Sequence, residues 1–119
     1  MLIKKLRDCP EITAGDRTRL RELLHPARDA ADIRYSLAEA RLASGTHSQA
    51  HRLKTAEVYY LVRGTGVMHI GKETAQVVPG DVVYIPPGSV QWLENTGKGE
   101  VEFLCIVDPA WRLEDEETI

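Results

Sequence analysis

The stretch GTHSQAHRLKTAEVYYLVRG, from Gly45 to Gly64, decides the fold expected for this chain. Its second half is rich in β-branched and aromatic residues, which favour β-strands, and its glycines stand where turns need a positive φ. Side chains two residues apart in a strand face the same side of a sheet. If the KTA segment makes only a short turn or bulge, His51 and Glu57 therefore face the same interior.

Further short strands are predicted after this stretch. RGTG, residues 63–66, predicts a tight hairpin turn between two strands. The turns PGD, PPG and NTGKG then separate short apolar runs up to Pro109. Many short strands with such turns indicate a β-sandwich or barrel.

The two ends of the chain show a different pattern. In TAGDRTRLRELLHPARDAA, Asp16 could cap a short helix that Pro26 would soon stop, so we predict an arm or a single short helix there. Alternation typical of strands begins near Ile33. After Pro109 the acidic tail AWRLEDEETI could form one helical turn or remain disordered. These boundaries predict one domain over residues 1–119, with its core at about 33–109.

The composition excludes several classes of protein. The chain has 119 residues, 43% of them hydrophobic and 28% charged, which is typical of a globular domain. A net charge of -3 provides no basic excess for binding nucleic acid. No apolar run approaches the roughly 20 residues of a membrane span, so no membrane partner is expected. With two cysteines, Cys9 and Cys105, and no signal core, we expect reduced thiols and a cytoplasmic location.

Two spaced motifs resemble those of the cupin superfamily. The first family motif is glycine, five residues, His-x-His, three or four residues, glutamate, six residues and glycine. The second is glycine, five residues, proline, one residue, glycine, two residues, histidine, three residues and asparagine. The positions that match here are Gly45, His51, Glu57, Gly64, Gly80, Pro86, Gly88 and Asn95. The resemblance implies an all-β fold, a double-stranded β-helix or jelly-roll-like barrel.

The chain departs from the family pattern at two histidines. Leu53 stands in the place of the second histidine of the first motif, and Gln91 in the place of the histidine of the second. The resemblance implies a divalent iron, manganese, nickel or zinc ion, which His51, Glu57 and Gln91 could bind. A neutral amide is a weaker donor than imidazole, so this centre would be poorer than the family's usual three histidines and one carboxylate.

The alternative for His51 is a metal-free pocket. The imidazole would then be buried and hydrogen-bonded to Glu57 or Gln91, where it could still act as a general acid or base. His47 lies about 13 Å from His51 along an extended strand, too far to replace the missing ligand without a sharp bend. It is expected to be a solvated loop histidine.

Three further residues are candidates for binding a small ligand. Tyr59 lies two residues after Glu57 and should face the interior, where its phenol could bond a substrate or simply pack in the core. Tyr35 and Arg41 lie on strands leading to the site and could meet a carboxylate of the ligand. A surface role for Arg41 is the alternative.

Several aromatic and histidine side chains are predicted to face outward. A hairpin at RGTG would place His69 opposite Tyr60, on the face away from Glu57. Trp92 points opposite to Gln91, and Trp111 could cover an apolar edge of the barrel or of a neighbouring subunit. A chain this small gains stability by burying such side chains, so we predict a homodimer held by sheet contacts and outward aromatics.

Two functions from different classes follow from these residues. The first is a barrel pocket that binds a small polar metabolite and a divalent metal, with proton transfer or oxidation as its chemistry if it is an enzyme. The second is a metal-free barrel that senses or stores a small ligand, in which Leu53 makes the pocket more apolar. Fold resemblance cannot choose a reaction, because cupins include many enzyme classes and pure binding domains.

Overall fold

Short strands run along most of the chain. A computed structural model describes residues 1–119 and contains eleven strands. They are β1 (Glu11–Thr13), β2 (Arg19–Leu24), β3 (Ser36–Leu42), β4 (His51–Leu53), β5 (Ala56–Arg63), β6 (Gly66–Ile70), β7 (Glu73–Val77), β8 (Val82–Ile85), β9 (Gln91–Asn95), β10 (Val101–Asp108) and β11 (Glu116–Thr118). The two helices, Leu6–Asp8 and Leu113–Asp115, are single 3-10 turns, and neither could span a bilayer.

The strands form two antiparallel sheets that face one another. The larger sheet has the order β1-β2-β3-β10-β5-β8, and the smaller has the order β11-β4-β9-β6-β7. Between them lies an apolar core that includes Leu61, Met68, Leu93 and Phe103. The all-β, jelly-roll-like fold predicted from the sequence is therefore confirmed.

The prediction of a hairpin at RGTG is wrong. β5 pairs with β10 and β8, whereas β6 pairs with β7 and β9, so the chain crosses from one sheet to the other between Arg63 and Gly66. Gly64 has a φ of +87°, and a Cβ added there would lie 2.4 Å from the carbonyl oxygen of Glu100. Glycine is thus required by a close crossing of two backbones, not by a hairpin.

This crossing also changes the neighbours of His69. Its strand partners are Trp92 and Thr74, not Tyr60 as predicted. The imidazole stacks on the Trp92 indole with ring centroids 3.5 Å apart and planes 4° from parallel. His69 and Trp92 lie on the face of the smaller sheet opposite to that of buried Met68 and Leu93, so the predicted outward direction of both side chains agrees with the structure.

Both ends of the chain are more regular than the sequence suggested. The segment expected to be an arm or short helix instead forms the β1–β2 hairpin, which joins the edge of the larger sheet through β3. Leu20 packs on the core and pairs with Ala40, and this tertiary contact overrides the helical pattern. The acidic tail forms β11, which pairs with β4 of the smaller sheet. Neither end is part of the expected core at 33–109, yet each extends a sheet.

The two faces of β5 have opposite surroundings. Glu57, Tyr59 and Leu61 point inward and are buried, with at most 5% of their surface exposed. Tyr60 and Val62 point outward and are 45% and 43% exposed. The alternation predicted from the sequence therefore places a carboxylate and a phenol inside the barrel.

Candidate functional site

A cavity of about 260 Å³ opens between the inner face of the larger sheet and β4. Ala38 and Ala40 of β3 leave room for it because their side chains are small. The β1–β2 hairpin and the segment from Trp111 to Glu116 complete its wall. More than half of the lining residues are apolar, and the cavity is on the small side for an organic ligand.

A hydrogen-bonded chain of buried side chains forms the polar part of this site. The Tyr59 hydroxyl donates to Gln91 Oε1 at 2.9 Å. Gln91 Nε2 in turn donates to Glu57 Oε1. Cys105 Sγ donates to the second oxygen of the same carboxylate, Glu57 Oε2, at 2.7 Å. Three strands, β5, β9 and β10, thus contribute to one network, in which each polar group has a partner.

Burial controls the protonation of this network. It raises the pKa of the Glu57 carboxyl, while the hydrogen bond from Cys105 and the nearby His51 oppose the rise. Burial, followed by the charge of Glu57, also raises the pKa of the Tyr59 phenol and of the Cys105 thiol well above their usual values. Cys105 is therefore a poor nucleophile, because the thiol rather than the thiolate is favoured.

His51 belongs to the cavity but not to this network. Its Nδ1 lies 2.9 Å from the carbonyl oxygen of Gln49 and 3.9 Å from Asp16 Oδ2. A carbonyl oxygen can only accept a hydrogen bond, so Nδ1 carries a proton. In the neutral imidazole, Nε2 is then the nitrogen without a proton. No protein group hydrogen-bonds to Nε2. The predicted hydrogen bond from His51 to Glu57 or Gln91 is therefore absent, although His51 and Gln91 are paired across β4 and β9.

The residues proposed as metal ligands do not fit a metal centre in this arrangement. Glu57 accepts hydrogen bonds at both of its oxygens, and Gln91 uses its amide nitrogen on Glu57 and its amide oxygen on Tyr59. Of these three residues, only His51 has a donor atom with no hydrogen-bond partner. No group of three His, Cys, Asp or Glu side chains is arranged to hold a metal ion, whereas sites of this kind need at least three protein ligands.

The side chains around the missing histidine lie where the sequence placed them. Leu53 is 4% exposed, lines the cavity and packs in the core, so it shares the inner face with His51. Lys54 and Thr55 make the short bend between β4 and β5 that this requires. His47 is exposed and bonds the carbonyl of Ser48 through Nδ1. It does not line the cavity and cannot replace the histidine absent at Leu53.

Tyr35 and Arg41, both proposed as ligand-binding residues, are not brought to the cavity. Tyr35 is 38% exposed and lies just before β3. Arg41 is on the outer face of the larger sheet, where its guanidinium lies 2.8 Å from Glu39 and 3.7 Å from Glu102. Arg41 is therefore paired with carboxylates away from the cavity, and of the three ligand-binding candidates only Tyr59 lines the cavity.

Two carboxylates near His51 were not predicted from the sequence. Asp16, in the β1–β2 turn, is buried and accepts hydrogen bonds from the backbone nitrogen and the hydroxyl of Thr18. Glu116, on β11, is half-buried, and burial raises its pKa, which the nearby His51 opposes. Both lie in end segments that sequence patterns assigned to a helix or tail. The pairing of those segments with the sheets brings them to the cavity.

Comparison with known proteins agrees with this architecture. A family model described as "Cupin domain" matches residues 38–107. The chain is 37% identical over 111 residues to Uncharacterized protein MJ1618 of Methanocaldococcus jannaschii, covering 92% of this chain and 87% of that one. It is 35% identical over 51 residues to an oxalate-binding protein of Thermotoga maritima, covering 43% of this chain and 42% of that protein.

A solved structure shows the same fold over nearly the whole chain. The Cupin 2 conserved barrel domain protein of Salinispora arenicola superposes with a TM-score of 0.79 at 19% identity, covering 96% of this chain and 91% of that one. At this identity the likeness concerns the fold alone. Together with the family model, which spans more than half of the sequence, it leads to one conclusion: the chain belongs to the cupin domain family.

Proposed function

We propose that this cupin binds a small organic molecule in the cavity beside His51, without a resident metal ion. The observation that carries the proposal is the cavity of about 260 Å³ in which the buried His51 imidazole keeps Nε2 free. With its proton on Nδ1, the ring offers Nε2 as a hydrogen-bond acceptor. The ligand that fits has an apolar body and at least one group that donates a hydrogen bond.

The metal-free form of the proposal rests on the satisfied network at Glu57. Metal binding by Glu57 and Gln91 would break buried hydrogen bonds. These are the bonds from Gln91 and Cys105 to Glu57 and the bond from Tyr59 to Gln91. Leu53 meanwhile adds apolar surface where the family motif has a histidine. We therefore favour the binding or sensing function over a metal-dependent reaction.

Benzyl alcohol is a suitable probe because it combines an apolar ring with one hydroxyl donor. Calorimetric titration of the parent chain is expected to show binding that does not change when EDTA is added. His51→Ala should weaken binding at least tenfold, because it removes Nε2, the acceptor to which the hydroxyl is proposed to donate. His69→Ala, which removes an imidazole from the outer face, is the control and should bind as the parent does.

Two results would overturn the proposal. One is the absence of any benzyl alcohol binding at millimolar concentration. The other is binding that EDTA abolishes and that added Zn²⁺ or Ni²⁺ restores, which would mean that a metal completes the site.

The homodimer predicted from the sequence remains part of the proposal, with different residues at its interface. Trp92 faces outward but is half-buried against His69, and Trp111 is half-buried beside the cavity, so neither is a largely exposed aromatic. The edge strand β8 instead exposes Val82 by 65% and Tyr84 by 60%, next to Tyr60 of β5. Backbone groups of an edge strand are open to pairing, so we infer that a second copy of the chain covers this face.

A further inference from the structure

The charges that line the cavity determine which ligand it would accept. Asp16, Glu57 and Glu116 all lie near His51, which is the only basic side chain in that part of the cavity. Arg28 also lines the cavity, but its guanidinium is paired with Glu22 and the side chain is 61% exposed. Apart from His51, these carboxyl groups therefore have no basic side chain of the protein beside them.

Glu116 is the carboxylate best placed to meet a ligand. No ion pair or side-chain hydrogen bond to a cation engages it, and its Oε2 lies against Gly15, where an added Cβ would be only 2.8 Å away. Asp16 by contrast is held by Thr18, and Glu57 by Gln91 and Cys105. The Trp111 indole hydrogen-bonds to Glu116, but no cation pairs with this half-buried carboxylate, and a positive charge beside it lowers the cost of burying it.

Two further observations favour an organic ligand over a simple inorganic ion in this part of the cavity. The His51 side chain is 4% exposed, lines the cavity and has an unpartnered Nε2. The wall around it is largely aromatic and apolar: Tyr59 and Phe103 lie with their ring centroids 4.5 Å apart, and Trp111 also lines the cavity. Aromatic walls beside carboxylates suit an organic cation, because ring faces attract positive charge.

From this geometry we infer that the ligand of the cavity is a small primary amine with an apolar body, bound as its ammonium ion. The inference rests on the proposed function and specifies its ligand class. The ammonium group donates to His51 Nε2 and pairs with Glu116, while the apolar body lies against Leu53, Phe103 and Trp111. A small dicarboxylate such as oxalate, named for the Thermotoga maritima relative, would meet carboxylates instead of cations.

The test compares three probes that share one ring and differ in charge: benzylamine, benzyl alcohol and benzoate. Calorimetric titration at neutral pH should show benzylamine binding at least tenfold more tightly than benzyl alcohol, and benzoate more weakly than either. Glu116→Gln should weaken benzylamine about tenfold while changing benzyl alcohol less than twofold. Glu117→Gln is the matched control, because the neighbouring side chain is 59% exposed and paired with Arg52; it should change neither.

Failure of this inference and failure of the proposed function give different results. If benzyl alcohol or benzoate binds as tightly as benzylamine, the cavity binds ligands but the amine assignment is wrong. If Zn²⁺ displaces benzylamine stoichiometrically, the carboxylates serve a metal and the assignment is equally overturned. If none of the three probes binds at millimolar concentration, the proposed function itself is wrong.

Discussion

The inner and outer faces of β5 invert the usual distribution of side chains. Inside the barrel, Glu57 and Tyr59 are buried in a polar network, whereas outside it Tyr60 and Val62 are exposed. Buried polar groups are tolerated only when they are hydrogen-bonded, and exposed apolar patches usually mark an interaction surface. The two faces thus differ in a way that fits the proposals above, in which the inner face binds a ligand and the outer face binds a second copy of the chain.

The largest effect is expected from breaking the inner network at its centre. Gln91→Leu removes the partner of both Glu57 and Tyr59 and leaves two buried polar groups unsatisfied, at a cost of about 2–5 kcal/mol in the free energy of unfolding. Gln76→Leu, on the exposed strand β7, is the control and should stay within about 0.5 kcal/mol. Urea denaturation measures both. Equal stability of the two variants would mean that the inner network is not what holds Glu57.

The protonation of Glu57 gives a second, pH-dependent test. Its pKa is raised in the folded protein, so between the unfolded and folded values the folded state keeps a proton that the unfolded state has released. The stability that Glu57 contributes is therefore complete below the unfolded pKa and is lost as the pH rises through the folded pKa. The slope in that window cannot exceed about 1.4 kcal/mol per pH unit for one proton.

Glu57→Gln removes this titration while keeping the size of the side chain. Relative to the variant, the parent should be most stable below the unfolded pKa of Glu57 and lose that advantage as the pH rises through the folded pKa. Denaturation curves of both proteins across this range measure the difference, in which the contribution of Glu116 cancels. A parent that gains stability over Glu57→Gln with rising pH would mean that the ionised carboxylate is the favoured state in the barrel.

The outer face is tested by placing a charge on it. Val82→Lys puts an ammonium on the exposed edge strand β8 and should weaken dimer formation at least tenfold, or by about 1.4 kcal/mol. Thr118→Lys, exposed on the edge strand β11 of the other sheet and outside the groove that Val82 and Tyr84 line, serves as the control. Light scattering at micromolar concentration should give a dimer for the parent and the control and a monomer for Val82→Lys. A monomeric parent would contradict the proposal that a second copy of the chain covers this face.

The smallest effect is expected where the inner face lacks a family histidine. Leu53→His adds an imidazole two residues from His51, and we expect zinc or nickel to bind about fivefold more tightly, a gain of about 1 kcal/mol. Arg52→His adds the same group one residue away on the outward side and should bind no better than the parent. If calorimetry finds the two variants alike, the inner network keeps Glu57 and Gln91 from joining a metal site even when a second histidine is present.

Much of the barrel was predictable because its corners require particular residues. Asn95 of the second motif shows why: its side chain accepts from the Gly97 nitrogen and donates to the carbonyl oxygens of Leu42 and Gly99, so it fixes the turn after β9. Strand alternation around Glu57 likewise placed His51, Leu53 and Tyr59 on the inner face. These features depend on local conformation and a period of two, which a sequence displays directly.

The hydrogen-bond partners of the inner side chains could not be predicted from the sequence in the same way. The sequence suggested that His51 bonds Glu57 or Gln91, but Glu57 is held by Gln91 from β9 and Cys105 from β10, while His51 turns to the carbonyl of Gln49. Which atoms meet depends on how strands from two sheets are placed against one another. A spacing rule contains no such information.

The sequence by itself determined that this chain forms a cupin barrel and which side chains of β4 and β5 face its interior, because turn residues and alternation act over a few neighbouring positions. Only the tertiary structure decided that the chain crosses between sheets at Gly64, and that the two ends pair with them and bring Asp16 and Glu116 to the cavity. Those outcomes depend on contacts between residues far apart in the chain, where burial and pairing override local propensity.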